Sequence, residues 1–239
     1  MNNPKYVGVL CCGGKGERLG EISQYITKPF IPVFDRPVFK YAIEKLERSS
    51  HIDEIYIIAN ENNADALNKS QHKVIIQDDS TVFDMFSALT YLKKTLTLSS
   101  NVVLLPCDNY SNVSIDKSIK LFESTPCDIA INLFSCHKVK TKQKLGIFNL
   151  KTMSYRYDQL NKSDQNILIA PYIVSKKINL KDKTESELLN TMHIAHRQHQ
   201  GYWFDIGTPY SLYQASQFRK CELERINPIK KSNTNIILK

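Results

Sequence analysis

The residues Tyr6-Val7-Gly8-Val9-Leu10 are apolar almost without interruption, and the small-residue run Cys11-Cys12-Gly13-Gly14-Lys15-Gly16-Glu17-Arg18-Leu19 follows them at once. An apolar stretch of that length with no polar alternation predicts a strand buried on both faces, as in a parallel sheet covered by helices. The run after it is then a loop leaving the carboxyl end of a central strand, where open α/β sheets place their ligands. Its glycines let backbone amides approach a phosphate, while Arg18 and the later Lys28 supply two cations. An anionic nucleotide is the first ligand to consider.

Two phosphate-loop patterns fail here. A P-loop needs Ser or Thr directly after the lysine that follows its second glycine, and Lys15 is followed by Gly16 and Glu17. A dinucleotide fingerprint beginning at Gly14 needs a third glycine where the chain has Leu19. The next strand also ends Ile58-Ala59-Asn60 without a ribose-binding acid.

Apolar periodicity continues the alternation of strand and helix. Pro37 opens a helix with Val38, Tyr41, Ala42 and Leu46 on one face. Strands are predicted at Ile55-Tyr56-Ile57-Ile58, Lys73-Val74-Ile75-Ile76 and Val102-Val103-Leu104-Leu105. Thr81 and Asp84 have capping-box spacing before the helix through Met85, Ala88, Leu89 and Leu92. Beyond residue 128 the pattern becomes a series of strands, 128–134, 145–150, 155–160 and 167–174, which suggests a smaller sheet forming the second wall of a cleft. A helix begins at Thr184 and Glu187, and Thr208-Pro209 opens a last one through Leu212, Ala215 and Phe218. The fold class is therefore α/β, a doubly wound and mainly parallel sheet with a small β-rich subregion. One domain is expected over 1–226, with halves of about 1–127 and 128–226, and a polar, mobile tail over 227–239.

Composition narrows the class. With 42% hydrophobic and 10% aromatic residues, 239 residues can bury a sizeable core. Apolar runs are strand-sized and no basic stretch precedes an apolar one at the amino terminus, so neither a membrane span nor a signal peptide is expected. Six cysteines lack metal-type spacing, which favours reduced thiols and a cytoplasmic location. The net charge of +8 is scattered apart from 137–144 and Lys230-Lys231, and no stacking aromatics are woven into it, so nucleic acid is not the expected partner. His193, His196 and His199 drift around a helix at that spacing and do not predict zinc.

The pattern Gly-Gly-x-Gly-x-Arg with a downstream Lys28-Pro29 resembles the signature of the sugar-1-phosphate nucleotidylyltransferases. The segment Lys28-Pro29-Phe30-Ile31-Pro32-Val33 continues the likeness, as do Leu105-Pro106-Cys107-Asp108-Asn109 and Trp203-Phe204-Asp205-Ile206-Gly207-Thr208. Gln77 falls at that family's base-reading glutamine. The matches keep the family's order and run from about residue 5 to 217, and the short glucose-1-phosphate thymidylyltransferases look most similar.

The resemblance implies a nucleotide-diphospho-sugar transferase-like fold and attack of a sugar 1-phosphate on the α-phosphorus of an NTP, with dTTP and glucose 1-phosphate as the leading pair. It implies Mg²⁺ on Asp108 and Asp205, catalytic cations at Arg18 and Lys28, and nucleotide contacts from Leu10, Gly13, Gly14, Gly16 and Gln77. Sugar-phosphate contacts would come from Asn109, Gly146, Asn161 and Lys162. Glu17 stands where the family usually has Thr, Asp78-Asp79-Ser80-Thr81 replaces its Gly-rich segment, Asn161-Lys162-Ser163 replaces Glu-Lys-Pro, and Ala170-Pro171 replaces Ala-Gly. Two alternatives stay open: a non-catalytic regulatory protein that binds nucleotide or sugar phosphate, and a cytidylyltransferase acting on a non-sugar phosphate. A homo-oligomer is also an open option.

Overall fold

The computed structural model describes residues 5–139, 141, 143–180 and 183–226. The expected tail over 227–239, the Lys230-Lys231 pair, and Lys140 and Lys142 of the basic run lie outside these residues.

The strands are β1 (Tyr6–Cys12), β2 (Pro32–Val33), β3 (Arg36–Pro37), β4 (Ile52–Ala59), β5 (Lys73–Ile76), β6 (Asn101–Pro106) and β7 (Asn109–Ser111) in the first half. They are followed by β8 (Ile129–Ser135), β9 (Lys144–Asn149), β10 (Ser154–Gln159), β11 (Asn166–Val174), β12 (Ile194–Gln198) and β13 (Trp203–Asp205). The helices are α1 (Ile22–Tyr25), α2 (Val38–Glu47), α3 (Glu61–Leu67), α4 (Met85–Leu96), α5 (Ile115–Ser124), α6 (Glu185–Thr191) and α7 (Pro209–Ile226).

The main sheet runs β10-β9-β11-β6-β1-β4-β5, with β8 branching from β11 and β12 beside β8. Strands β5, β4, β1 and β6 are all parallel, as the alternation of elements predicts. The expected second sheet does not exist as a separate layer. Strand β11 pairs antiparallel with β6, and the antiparallel strands β8, β9 and β10 extend the same sheet. Apolar strand runs carry no mark of which neighbour they pair with, so periodicity could not separate a second sheet from a continuation.

Strand β1 shows why the fold is doubly wound. Val7 and Val9 pack with Phe86 and Leu89 of α4 and Leu188 of α6. Tyr6, Leu10 and Cys12 face the other way, against Phe39 and Leu46 of α2 and Ile119 of α5. Consecutive side chains on a strand point to opposite faces, so one uninterrupted apolar run feeds two cores. Pro171 lies in central β11, where a missing N–H would ordinarily break the ladder. Its pairing to β8 skips from Ile169 to Ile173, and the Pro171 carbonyl instead accepts the side-chain amide of Asn132 at 2.9 Å.

Some local expectations need revision. The cap of α4 is Asp84, whose carboxylate accepts from Ser87 N at 2.7 Å, so Thr81 is one turn too early. The box of Thr184 and Glu187 and the cap of α7 by Thr208 stand as expected. His193, His196 and His199 are not helical: α6 ends at Thr191 and His196 lies on β12. His193 and His196 are exposed, while His199 is buried with its Nε2 3.0 Å from the side-chain oxygen Oδ1 of Asn112.

Candidate active site

Strands β1 and β6 are parallel neighbours from which the chain proceeds toward opposite edges of the sheet, and the crevice above such a switch point is where ligands lodge. From β1 the chain turns through Gly13, Gly14, Lys15 and Gly16 into a short turn, Glu17–Leu19. Gly16 has φ 73°, a left-handed conformation that strains any residue with a Cβ. The loop is tied down by two residues that the sequence reading passed over. The side-chain amide of Asn60 donates to the Gly13 carbonyl at 3.1 Å, and that of Asn63 to the Cys12 carbonyl at 2.7 Å. Their signal was the spacing Asn60-x-x-Asn63 at a strand end, since Asn60 also caps α3 by accepting Asn63 N at 3.0 Å.

Lys28 is fixed from below. Pro29 is buried and Phe30 meets Phe39 of α2 edge-on at 5.3 Å between centroids. The Lys28 stem runs against Gly16, where an added Cβ would lie 3.2 Å from Lys28 Cβ. Its ammonium forms an ion pair with Asp108, and both side chains are largely buried. Burial alone would lower the Lys28 pKa, but the charges of Asp108 and Asp205 outweigh it and keep the ammonium protonated.

Asp108 follows β6, and Asp205 ends β13, which pairs with β7 so that Asn109 stands opposite Asp205. The Asn109 amide joins the two acids, donating to Asp108 Oδ1 at 3.0 Å and to Asp205 Oδ1 at 3.5 Å. Trp203 Nε1 can only donate, and it does so to Asn109 Oδ1 at 2.8 Å, which fixes the amide with its N–H groups toward the carboxylates. Burial and then the charge of Asp108 push Asp205 above the usual carboxylate range. Arg18 Nη2 lies 3.9 Å from Asp205 Oδ2, and Arg18 Nη1 donates to Gln143 at 3.3 Å.

Both acids are hard oxygen donors, and in this structure Lys28 and Arg18 balance their charge. That set suits Mg²⁺, which takes one or two carboxylates and completes its shell with phosphate oxygens and water. Among the described residues no group of three His, Cys, Asp or Glu side chains converges on one point.

Two clefts meet at this constellation. The larger, about 410 Å³, is lined by Gly13, Gly14, Gly16, Arg18, Lys28 and Gln77, together with residues of the 79–83 segment. The smaller, about 210 Å³, lies between the 137–143 turn and the start of α7, lined by Gln143, Leu145, Trp203, Asp205, Thr208 and Tyr210 among others. The structure therefore brings together Arg18, Lys28, Gln77, Asp108, Asn109, Asp205 and the three loop glycines. It does not bring four other expected residues to either cleft. The Leu10 side chain is wholly in the core. Gly146 faces the ring of Tyr155, 2.9 Å from where its Cβ would be. Asn161 and Lys162 sit in the turn after β10, where Asp164 accepts from Asn161 N at 2.8 Å and pairs with Arg156.

The sequence of residues 8–163 matches the profile of the MobA-like NTP transferase domain. The chain belongs to this family. The bifunctional protein GlmU of Methanocaldococcus jannaschii is 23% identical over 97% of this chain and 58% of its own length. A mannose-1-phosphate guanyltransferase of Sulfolobus acidocaldarius, named as putative, is 23% identical over 84% of this chain and 59% of its own. The chain thus spans a little over half the length of these curated relatives. Among solved structures, a glucose-1-phosphate thymidylyltransferase of Bacillus anthracis, also named as putative, superposes with a TM-score of 0.71 at 20% identity, covering 89% of this chain and 94% of that one. UTP-bound UGPase from Acinetobacter baumannii gives 0.68 at 15% identity, covering 95% and 99%. These likenesses establish the NTP-transferase family and its fold. No helix among the described residues is long and apolar enough to cross a membrane.

Proposed function

We propose that this protein joins an NTP to a sugar 1-phosphate, giving a nucleoside diphosphate sugar and pyrophosphate. The observation that carries the reading is that Lys28 and Arg18, which line the glycine-walled cleft, are paired with Asp108 and Asp205 respectively. The sugar-phosphate oxygen is already an anion at neutral pH, so the site needs alignment and charge neutralisation more than a base. The amides near Gly13, Gly14 and Gly16 cradle the triphosphate. Lys28 meets the α-phosphate where charge develops, and Arg18 neutralises the departing pyrophosphate. Asp108 and Asp205 would hold Mg²⁺, which supplies charge neutralisation on the phosphates when bound. Asn109, locked by Trp203, keeps the two carboxylates at a fixed spacing. The smaller cleft shares Asp205 with this centre, and we read it as the acceptor's approach.

Incubation with Mg²⁺, each NTP and a panel of sugar 1-phosphates, with pyrophosphate as the readout, tests the reading. The pair dTTP and glucose 1-phosphate, which the sequence motifs suggest, is included. Pyrophosphate release that requires both substrates is expected, and Asp108→Asn should lower it about 100-fold or more. No release with any pair, or an unimpaired Asp108→Asn enzyme, would overturn it.

A further inference from the structure

Gln77, Asp79, Val82 and Phe83 line the larger cleft together with the glycine loop. Gln77 leaves the end of β5 with its backbone N–H bonded to the Ala59 carbonyl at 2.8 Å, so its side chain starts from a fixed point. Nε2 of that side chain donates to Asp79 Oδ1 at 2.7 Å. A carboxylate accepts and does not donate, so Asp79 dictates which way the Gln77 amide faces. The whole amide lies against the glycine loop: a Cβ on Gly13 would stand 2.0 Å from Gln77 Oε1 and 2.4 Å from Nε2. Asp79 is held in turn by the 78–82 turn, where Asp78 Oδ1 accepts from Ser80 N at 2.9 Å and the Asp78 carbonyl from Val82 N at 3.0 Å. With Nε2 committed to Asp79, these two cleft-lining residues keep two acceptors, Gln77 Oε1 and the second Asp79 oxygen.

Of the common bases, guanine alone carries two adjacent donors, N1–H and N2–H₂, on its pairing edge. Thymine and uracil have one imide N–H flanked by two carbonyls, and a carbonyl facing Asp79 would set acceptor against acceptor. Cytosine and adenine have one amino group beside a bare ring nitrogen, which fails the same way. Phe83 adds a platform: it is 81% exposed where it lines the cleft, and its backbone N–H donates to Ser87 Oγ at 2.8 Å. An aromatic ring left in water at the rim of a base-sized cleft is suited to stack on a purine.

We infer that the nucleotide donor is a guanine nucleotide, selected by Asp79 together with the Gln77 oxygen that Asp79 orients, and stacked on Phe83. This rests on the nucleotidyl-transfer reading and departs from the thymidine expectation of the sequence motifs. Asp79 contacts the base directly and also positions Gln77.

Equilibrium binding of GTP, ITP, dTTP, UTP, CTP and ATP to the intact protein tests it, alongside pyrophosphate release with each. ITP lacks the N2 amino group and is otherwise guanosine-like. GTP should bind at least tenfold tighter than dTTP, UTP, CTP or ATP, and about tenfold tighter than ITP. Asp79→Asn should reduce the GTP-to-ITP ratio to near one, Asp79→Glu should retain part of it, and Phe83→Ala should weaken GTP about tenfold without changing that ratio. The ratio compares two ligands on the same folded sample, so a misfolded variant does not imitate the effect. Binding of dTTP or UTP as tight as GTP, or a ratio unchanged in Asp79→Asn, would overturn the inference even if transfer is observed. Selective GTP binding without pyrophosphate release under any condition would support the base assignment and overturn the reaction.

Discussion

The Lys28 ammonium sits on the Asp108 carboxylate, and the two side chains are only 12% and 13% exposed. A buried ion pair contributes little as a pair but costs much when one partner is lost, because the other charge stays out of water. Lys28→Met should therefore lower kcat about 10²–10³-fold and destabilise the fold by about 3 kcal/mol. Adding Asp108→Asn should recover most of that stability and none of the activity. Denaturant melts and steady-state assays of the single and double variants check both halves.

Gly13 and Gln77 compete for one space. A Cβ on Gly13 would stand 2.0 Å from Gln77 Oε1, the end of a flexible side chain, which must swing away. Gly13→Ala should cost less than about 1 kcal/mol of stability, because a partly exposed side chain moves rather than backbone. Nucleotide affinity should fall about tenfold as the Gln77 amide leaves its position, which calorimetry reads directly.

Glu17 lines the same cleft as Arg18 and Lys28 and is exposed there. A negative charge near a triphosphate opposes binding, though solvent screens an exposed group. Glu17→Thr should tighten NTP binding about two- to fivefold at low ionic strength, with the gain shrinking at 0.5 M salt. Equal affinity at low salt would show that the Glu17 carboxylate points away from the phosphates.

Glu185 opens α6 with its carboxyl against Asp84 and Tyr155, whose hydroxyl donates to it at 3.3 Å; Tyr172 lies behind. Burial, then the charge of Asp84, pushes its pKa up from 4.5 to about 7. The folded state therefore holds a proton that the unfolded chain has lost between about pH 4.5 and 7. Glu185 lowers stability progressively across that window, and the loss is complete above pH 7. Glu185→Gln should be more stable than the parent by about 1–3 kcal/mol at pH 8 and no different at pH 4.5, as read by thermal melts at the two pH values.

Much of this site could be read from the chain because phosphate chemistry leaves local marks. The glycines, Arg18 and Asp108 lie in or beside loops that leave apolar strands, so strand periodicity put them near the carboxyl ends of those strands, whereas Lys28 needed the motif. The Asp205 position needed the motif, since the β13–β7 pairing that sets it opposite Asn109 joins segments 96 residues apart. The spacing of Asn60 and Asn63 marked a helix cap, but their ties to the Gly13 and Cys12 carbonyls were hidden because a side-chain bond to a distant carbonyl has no sequence period. Gly146 shows the converse. Its glycine is required by the Tyr155 ring on the neighbouring strand, a packing reason that looks like a ligand reason in one dimension. The 128–174 strands were located to within a residue or two, yet their continuity with the main sheet depends on β11 meeting β6.

The central claim is that the α-phosphoryl group of an NTP passes to a sugar 1-phosphate at the Lys28, Asp108 and Asp205 centre. A single-turnover reaction with α-³²P-labelled and, separately, γ-³²P-labelled nucleotide tests this most directly. The α label should appear in the sugar-linked product and the γ label in pyrophosphate, both suppressed in Asp108→Asn. Transfer of the γ label to the sugar, or no transfer of the α label with any nucleotide and sugar phosphate, would contradict it.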